Sequence, residues 1–194
     1  MLAAIDLDDT VFDFQRAWER TAFQVLGHAR CVRALTPSRR ERYRLSASER
    51  AAVWAGFDWR YRDPLPGAVS AVRRLMQGGW TVFAVTAVPG HLRAEREAAL
   101  AAAGIAMPVH CVGWRADKGS HLLHADLFVD DDPHHCERAL ELGVADVFWV
   151  GRTYPVQHEC RARRVDTLEE AVSWLFSDDA RLTAHAPAAA SAGC

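Results

Sequence analysis

The chain has 194 residues, 50% of them apolar or aromatic, with 23 basic against 25 acidic residues and a formal net charge of -2. That length buries one core and leaves room for a small insertion, while the faint negative balance excludes the positive field that holds duplex nucleic acid by its phosphates. The opening MLAAIDLDDT lacks the basic and apolar regions of a secretory signal, no run of about 18 apolar residues is present to cross a membrane, and the cysteines (Cys31, Cys111, Cys136, Cys160, Cys194) are scattered, with no CxxC pair. A cytoplasmic protein with reduced thiols is expected; its oligomeric state stays open, a homodimer included.

Leu2 to Leu7 is a short apolar run that breaks into Asp6, Asp8 and Asp9, the pattern of a buried strand with carboxylates at its C-terminal end. Roughly 50 residues then precede the turn Asp63-Pro64-Leu65-Pro66-Gly67, a gap that needs structure of its own. Phe14–Leu26 carries apolar positions at helical spacing (Phe14, Ala17, Trp18, Ala22, Val25), and Pro37–Tyr43 and Ala47–Trp54 read as shorter helices, the latter capped by Ser46 or Ser48. Residues 13–63 are thus expected to form a helical cap over the sheet, with residues 1–12 and 64–176 as the core.

Beyond the turn, helices are expected at Gly67–Met76, at Gly90–Ala103 with the charged face Arg93, Glu95 and Arg96, at Pro133–Leu142 and at Leu168–Phe176. Between them lie apolar runs at Trp80–Ala87, Val109–Trp114, Leu127–Val129 leading into Asp130, and Val147–Val150. This alternation predicts an α/β fold, a doubly wound, Rossmann-like parallel sheet of about five strands with right-handed crossovers. Ser177–Cys194 is alanine-rich, has no periodic apolar face and reads as a frayed tail.

In an open parallel sheet, ligands bind outside the carboxyl ends of the strands. The strand ends here bring Asp6, Asp8 and Thr10, then Thr86, then Lys118, then Asp130 and Asp131, a set suited to phosphoryl transfer. Lys118 is the sole lysine among the 23 basic residues. In a chain that otherwise uses arginine, it marks a place where a compact ammonium is needed and a guanidinium fork will not fit.

The motifs Asp6-Leu7-Asp8-Asp9-Thr10, Val82-Phe83-Ala84-Val85-Thr86, Lys118 and Asp126-Leu127-Phe128-Val129-Asp130-Asp131 resemble, in order and spacing, those of haloacid dehalogenase superfamily phosphatases. One departure is Asp9, where many members carry glycine; aspartate also tolerates that turn. The resemblance implies a phosphatase with an aspartyl-phosphate intermediate on Asp6 and with Asp8 as acid and base. Lys118 and Thr86 would hold the phosphoryl oxygens. Packed carboxylates and an incoming phosphate repel one another unless cations offset them, so Mg²⁺ is implied, on Asp6, the Asp8 carbonyl and Asp130. Asp131 would hold a water or orient the metal, or else cap the helix that Pro133 opens. The family's dehalogenases lack the second carboxylate, so Asp8 argues for phosphate.

Arg115-Ala-Asp117-Lys118, the segment 125–131 and Asp63-Pro64-Leu65-Pro66-Gly67-Ala68 look like stretches of the 5'(3')-deoxyribonucleotidases. That resemblance implies a small phosphorylated substrate, a nucleoside monophosphate, with Thr10, Phe12, Phe14, Phe57, Trp59 and Ala87 as candidate contacts. A sugar phosphate or another small phosphometabolite remains the alternative, and a non-catalytic binder of phosphorylated ligands is a more distant one. The aromatics around residues 54–61 can stack a base or form the cap's own small core. His134-His135-Cys136 lacks a second ligand pair at zinc spacing, and Arg33–Arg44 reads as a solvated face.

Overall fold

The computed structural model describes residues 1–27, 45–61, 63–114, 116–151 and 159–177. The predicted helix Pro37–Tyr43, the stretch Arg33–Arg44 and most of the C-terminal tail lie outside the described residues. Among the described residues no helix is long and apolar enough to cross a membrane.

Six strands, β1 (Leu2–Ile5), β2 (Thr81–Thr86), β3 (Val109–Cys111), β4 (Leu127–Asp130), β5 (Asp146–Val150) and β6 (Arg163–Val165), form one sheet in the order β3-β2-β1-β4-β5-β6. Every pairing is parallel. Residues alternate between two cores, as the period-2 geometry of a strand requires. Ala3, Ile5, Val82, Ala84, Leu127 and Val129 face one core, while Ala4, Val85, Phe128, Val147 and Trp149 face the other. Both faces are covered, which is why these strands read as continuous apolar runs. The expectation of about five strands missed β6. That strand sits at the edge with two of its three residues, Arg163 and Arg164, exposed, so it has no apolar signature to read.

The helices are α1 (Phe14–Leu26), α2 (Ala47–Ala55), α3 (Ala68–Gln77), α4 (Arg93–Ala102), α5 (Pro133–Glu141) and α6 (Leu168–Leu175). On the first face pack α3, α4 and α6, through residues such as Val72, Leu75, Leu100 and Val172; α5 covers the second through Cys136 and Ala139. Local chemistry explains their starts. Ser46, not Ser48, opens α2 with a reciprocal capping box to Glu49. Gly67 precedes α3 with φ 76°, and a Cβ there would come within 2.9 Å of Glu169 Cβ, so the turn strongly favours glycine. The helix expected at Gly90–Ala103 begins as a 3-10 turn, Gly90–Leu92, before α4.

The strand order reverses around β1, which lies between β2 and β4. A crevice opens there at the carboxyl ends. The chain leaves β1 through a tight turn in which the amides of Val11 and Phe12 both donate to the Leu7 carbonyl, at 2.9 and 2.8 Å. Asp9 takes φ 62° in this turn, the one positive φ outside glycine among the described residues, and its side chain accepts from the Gln15 amide at 3.1 Å. Asparagine and aspartate bear this geometry better than other non-glycine residues, and β-branched ones bear it worst. Asp9→Val should therefore be about 1–2 kcal/mol less stable than Asp9→Gly in chemical denaturation.

Candidate active site

Asp6 directly follows β1, and its amide continues the ladder to the Val129 carbonyl at 2.9 Å. Asp130 ends β4 and Asp131 follows it. Three oxygens, one each from Asp6, Asp130 and Asp131, lie within 4.8 Å of one another, and all three residues are buried. Lys118, on the connection from β3 to β4, reaches into this group. Its ammonium donates to Asp6 Oδ1 at 2.6 Å and to Asp130 Oδ2 at 2.7 Å, and its side chain is almost fully buried. Asp130 Oδ1 also accepts from the Asp132 amide at 2.7 Å, and His135 Nδ1 lies 3.2 Å from Asp130 Oδ2.

Three carboxylates around one ammonium cannot all be equally ionised in a low dielectric. Burial pushes Asp6 up to about 7 despite Lys118, with Asp130 and Asp8 adding to the rise. Burial also opposes the charge on Asp130, but Lys118 and His135 outweigh it and hold that carboxyl down to about 2. Burial disfavours the Lys118 cation too, yet Asp130 and Asp6 keep it protonated. Three hard oxygen donors with excess negative charge are the donor set a small divalent cation such as Mg²⁺ takes.

Asp8 sits beside this group and is held separately. Tyr61 Oη donates to Asp8 Oδ1 at 2.5 Å, and the Arg96 guanidinium donates to the same oxygen at 2.8 Å. Thr86 ends β2 with its hydroxyl buried and, among the described residues, without a hydrogen-bond partner. Such an orphan is uncommon in a folded protein, and no backbone group satisfies it. The rival role for Asp131 also falls: the cap of α5 is Asp132, whose side chain accepts from the His134 amide at 2.9 Å.

A cavity of about 840 Å³ opens above the carboxylates. Its floor is acidic, with Asp6, Asp8, Asp9, Asp130, Asp131 and Asp132, and its far wall is aromatic, with Phe14, Trp54, Trp59 and Trp114. Trp54 and Trp59 stack at 5.5 Å with their planes 3° apart, and Trp114 tilts against both at 5.2 and 5.3 Å. Trp114 comes from the core side, after β3, and is 52% exposed.

The structure gathers the expected residues Asp6, Asp8, Lys118, Asp130 and Asp131, and it puts Phe14, Trp59 and Ala87 on the cavity wall. Four others, Thr10, Thr86, Phe12 and Phe57, do not line the cavity. Thr10 and Thr86 are both fully buried, each with a hydroxyl that has no hydrogen-bond partner among the described residues. Phe12 is fully buried against Tyr61. Phe57 is buried among Phe14, Trp18, Trp54, Trp59 and Tyr61, a core contact and not a wall. The aromatic segment thus forms both a small core and one wall. Trp114, His135 and Arg96 join the site without having been expected there, while Trp54 and Tyr61 come from the aromatic segment already weighed for stacking. Arg96 was assigned to a charged face, yet it is fully buried. The signal was its spacing, since Arg96 shares a helix face with Ala99, Leu100 and Ala103 at i+3, i+4 and i+7.

No family model matches the sequence and no curated protein matches it. Solved structures do match. A protein assigned as a haloacid dehalogenase-like hydrolase from Burkholderia xenovorans is 15% identical, with 91% of this chain and 98% of that chain covered and a TM-score of 0.59. A protein assigned as a β-phosphoglucomutase from Thermotoga maritima is 15% identical, with 90% and 97% covered and a TM-score of 0.58. An L-2-haloacid dehalogenase is 16% identical, with 91% and 98% covered and a TM-score of 0.61. The chain therefore has the α/β fold of the haloacid dehalogenase-like hydrolases.

The shift of Asp6 has a measurable consequence. Its carboxyl keeps a proton up to about pH 7, and a divalent cation entering between Asp6, Asp130 and Asp131 must displace it. Apparent Mg²⁺ affinity should fall about tenfold per pH unit below that point and level off above it. Calorimetric titrations on either side of neutrality check this, with proton release on the acid side.

Proposed function

We propose that the protein is a divalent-cation-dependent phosphomonoesterase that forms an aspartyl-phosphate on Asp6, acting on nucleoside monophosphates. One observation carries the reading: Asp6, Asp130 and Asp131 share one small volume with Lys118, and a second carboxylate, Asp8, stands beside them. A bare cluster of that charge repels phosphate. Mg²⁺, held by Asp6, Asp130 and Asp131, would supply the positive charge that lets a phosphate dianion approach.

Each residue then has a task. Asp6 attacks phosphorus through a carboxylate oxygen, and the bond from phosphorus to the leaving oxygen breaks as the new one forms. Asp8 gives its proton to that leaving oxygen and later takes one from the water that cleaves the acyl phosphate. Lys118 and the Thr86 hydroxyl hold the transferring oxygens. Asp8 is what separates this chemistry from halide displacement, in which the leaving group needs no proton. The aromatic wall of Phe14, Trp54, Trp59 and Trp114 favours a leaving nucleoside, whose planar base can stack on those rings, over a bare sugar.

With Mg²⁺ the protein should hydrolyse p-nitrophenyl phosphate, and Asp6→Asn should lower kcat by about 10³-fold or more with the fold retained by circular dichroism. Undiminished turnover in that variant removes Asp6 as nucleophile. A panel of nucleoside and sugar monophosphates checks the substrate: the expected order places a deoxynucleoside monophosphate at least about tenfold above any sugar phosphate in kcat/KM.

A further inference from the structure

Asp8 is paired with a buried cation, Arg96. Arg96 lies in the first turn of α4, fully buried behind the cavity and outside its lining. Its fork divides: one terminal nitrogen lies 2.8 Å from Asp8 Oδ1 and 3.4 Å from Tyr61 Oη, and the other donates to the Trp59 carbonyl at 3.1 Å. The guanidinium carbon is 4.6 Å from the centre of the Tyr61 ring and 5.2 Å from that of Phe12. A planar donor with several N–H groups is the side chain that can make all these contacts together.

Burying a guanidinium this deeply is costly before its partners offset it, and an apolar side chain would fill the space without that cost. The partners are informative. They are Asp8 itself and two residues, Trp59 and Tyr61, of the segment that returns from the helical insertion to the core. Both hydrogen bonds on Asp8 fall on Oδ1. Among the described residues Oδ2 accepts none, and the Asp8 side chain, 23% exposed, lines the cavity. Pinning one oxygen fixes the rotamer and presents the other to the substrate.

We propose that Arg96 is a positioning residue for Asp8: with Tyr61 it anchors Oδ1, aims Oδ2 at the leaving oxygen of the ester, and ties that aim to the seating of residues 57–61. The inference rests on Asp8 being the acid of the phosphatase reading above. In the step concerned, the Asp8 proton moves to the leaving oxygen as its bond to phosphorus breaks and the bond from Asp6 to phosphorus forms. An ester that leaves as a stable phenolate hardly needs that proton, whereas one that leaves as an alkoxide depends on it.

The experiment compares kcat/KM for p-nitrophenyl phosphate and benzyl phosphate, with Mg²⁺, in the wild type, Tyr61→Phe, Arg96→Lys and Arg96→Met. This ratio reports the steps through transfer to Asp6 and is blind to the later breakdown of the acyl phosphate. Tyr61→Phe should lower the benzyl value about tenfold and Arg96→Met about 100-fold or more, with Arg96→Lys between them. The p-nitrophenyl value should drop less than about threefold in each. Equal losses on both esters, in variants with wild-type circular dichroism, overturn the proposal. If the Arg96 variants do not fold, Tyr61→Phe decides it alone. A wild type inactive on both esters instead overturns the phosphatase reading, so the two failures are distinguishable.

Discussion

A single ammonium between two buried carboxylates organises this end of the molecule. Lys118 bonds to Asp6 from β1 and to Asp130 from β4, so it joins the two strands at which the sheet order reverses. Unpaired, each of these groups would be costly to bury, and losing one member of such a set costs about 3–5 kcal/mol. Together they still leave the floor of the cavity short of positive charge. That deficit is the physical reason the proposed phosphate ester would need a divalent cation beside it.

The parallel sheet supplies the precision. Asp6 continues a hydrogen-bonded ladder, Asp130 ends one, and Thr86 ends another. None of the three depends on a long loop for its position, so the carboxylate spacing is inherited from the regular separation of strands. The insertion contributes a different kind of order. Its rings form a chain of contacts from Trp18 through Trp54 and Trp59 to Trp114, stacked between Trp54 and Trp59 and tilted at either end, and Trp114 belongs to the core side. Aromatic packing thus closes the far wall of the cavity and joins the two parts of the chain across it.

Much of this was legible in sequence because each feature had a local cause. Apolar runs ending in carboxylates gave β1 and β4, helical spacing gave α1 to the residue, and the solitary lysine pointed to the place where charge had to be compact. What stayed hidden was nonlocal. Edge strand β6 is two exposed arginines and a valine, with no pattern to distinguish it from a loop. Arg96 was assigned to a surface because charge usually means solvent, although its spacing from Ala99 and Leu100 put it on the buried face. His135 was weighed only against zinc, whereas its ring nitrogen lies against Asp130. Phe12 and Phe57 were counted as substrate contacts because rings near a site can face either way, and only packing decides which do.

The two buried cations also explain why one is lysine and the other arginine. Lys118 must place a single centre within 2.7 Å of two carboxylate oxygens from different strands. A guanidinium is planar and wider, and it would have to spread those strand ends to satisfy both. Arg96 has the opposite task, reaching a carboxylate, a phenol and a backbone carbonyl at once while lying near two rings. An ammonium at position 96 has three donors around one point and could not span partners set that far apart. In a chain that otherwise prefers arginine, the one lysine therefore stands where the geometry of the fork would fail, and Asp6 and Asp8 are held by cations of different shape for the same reason.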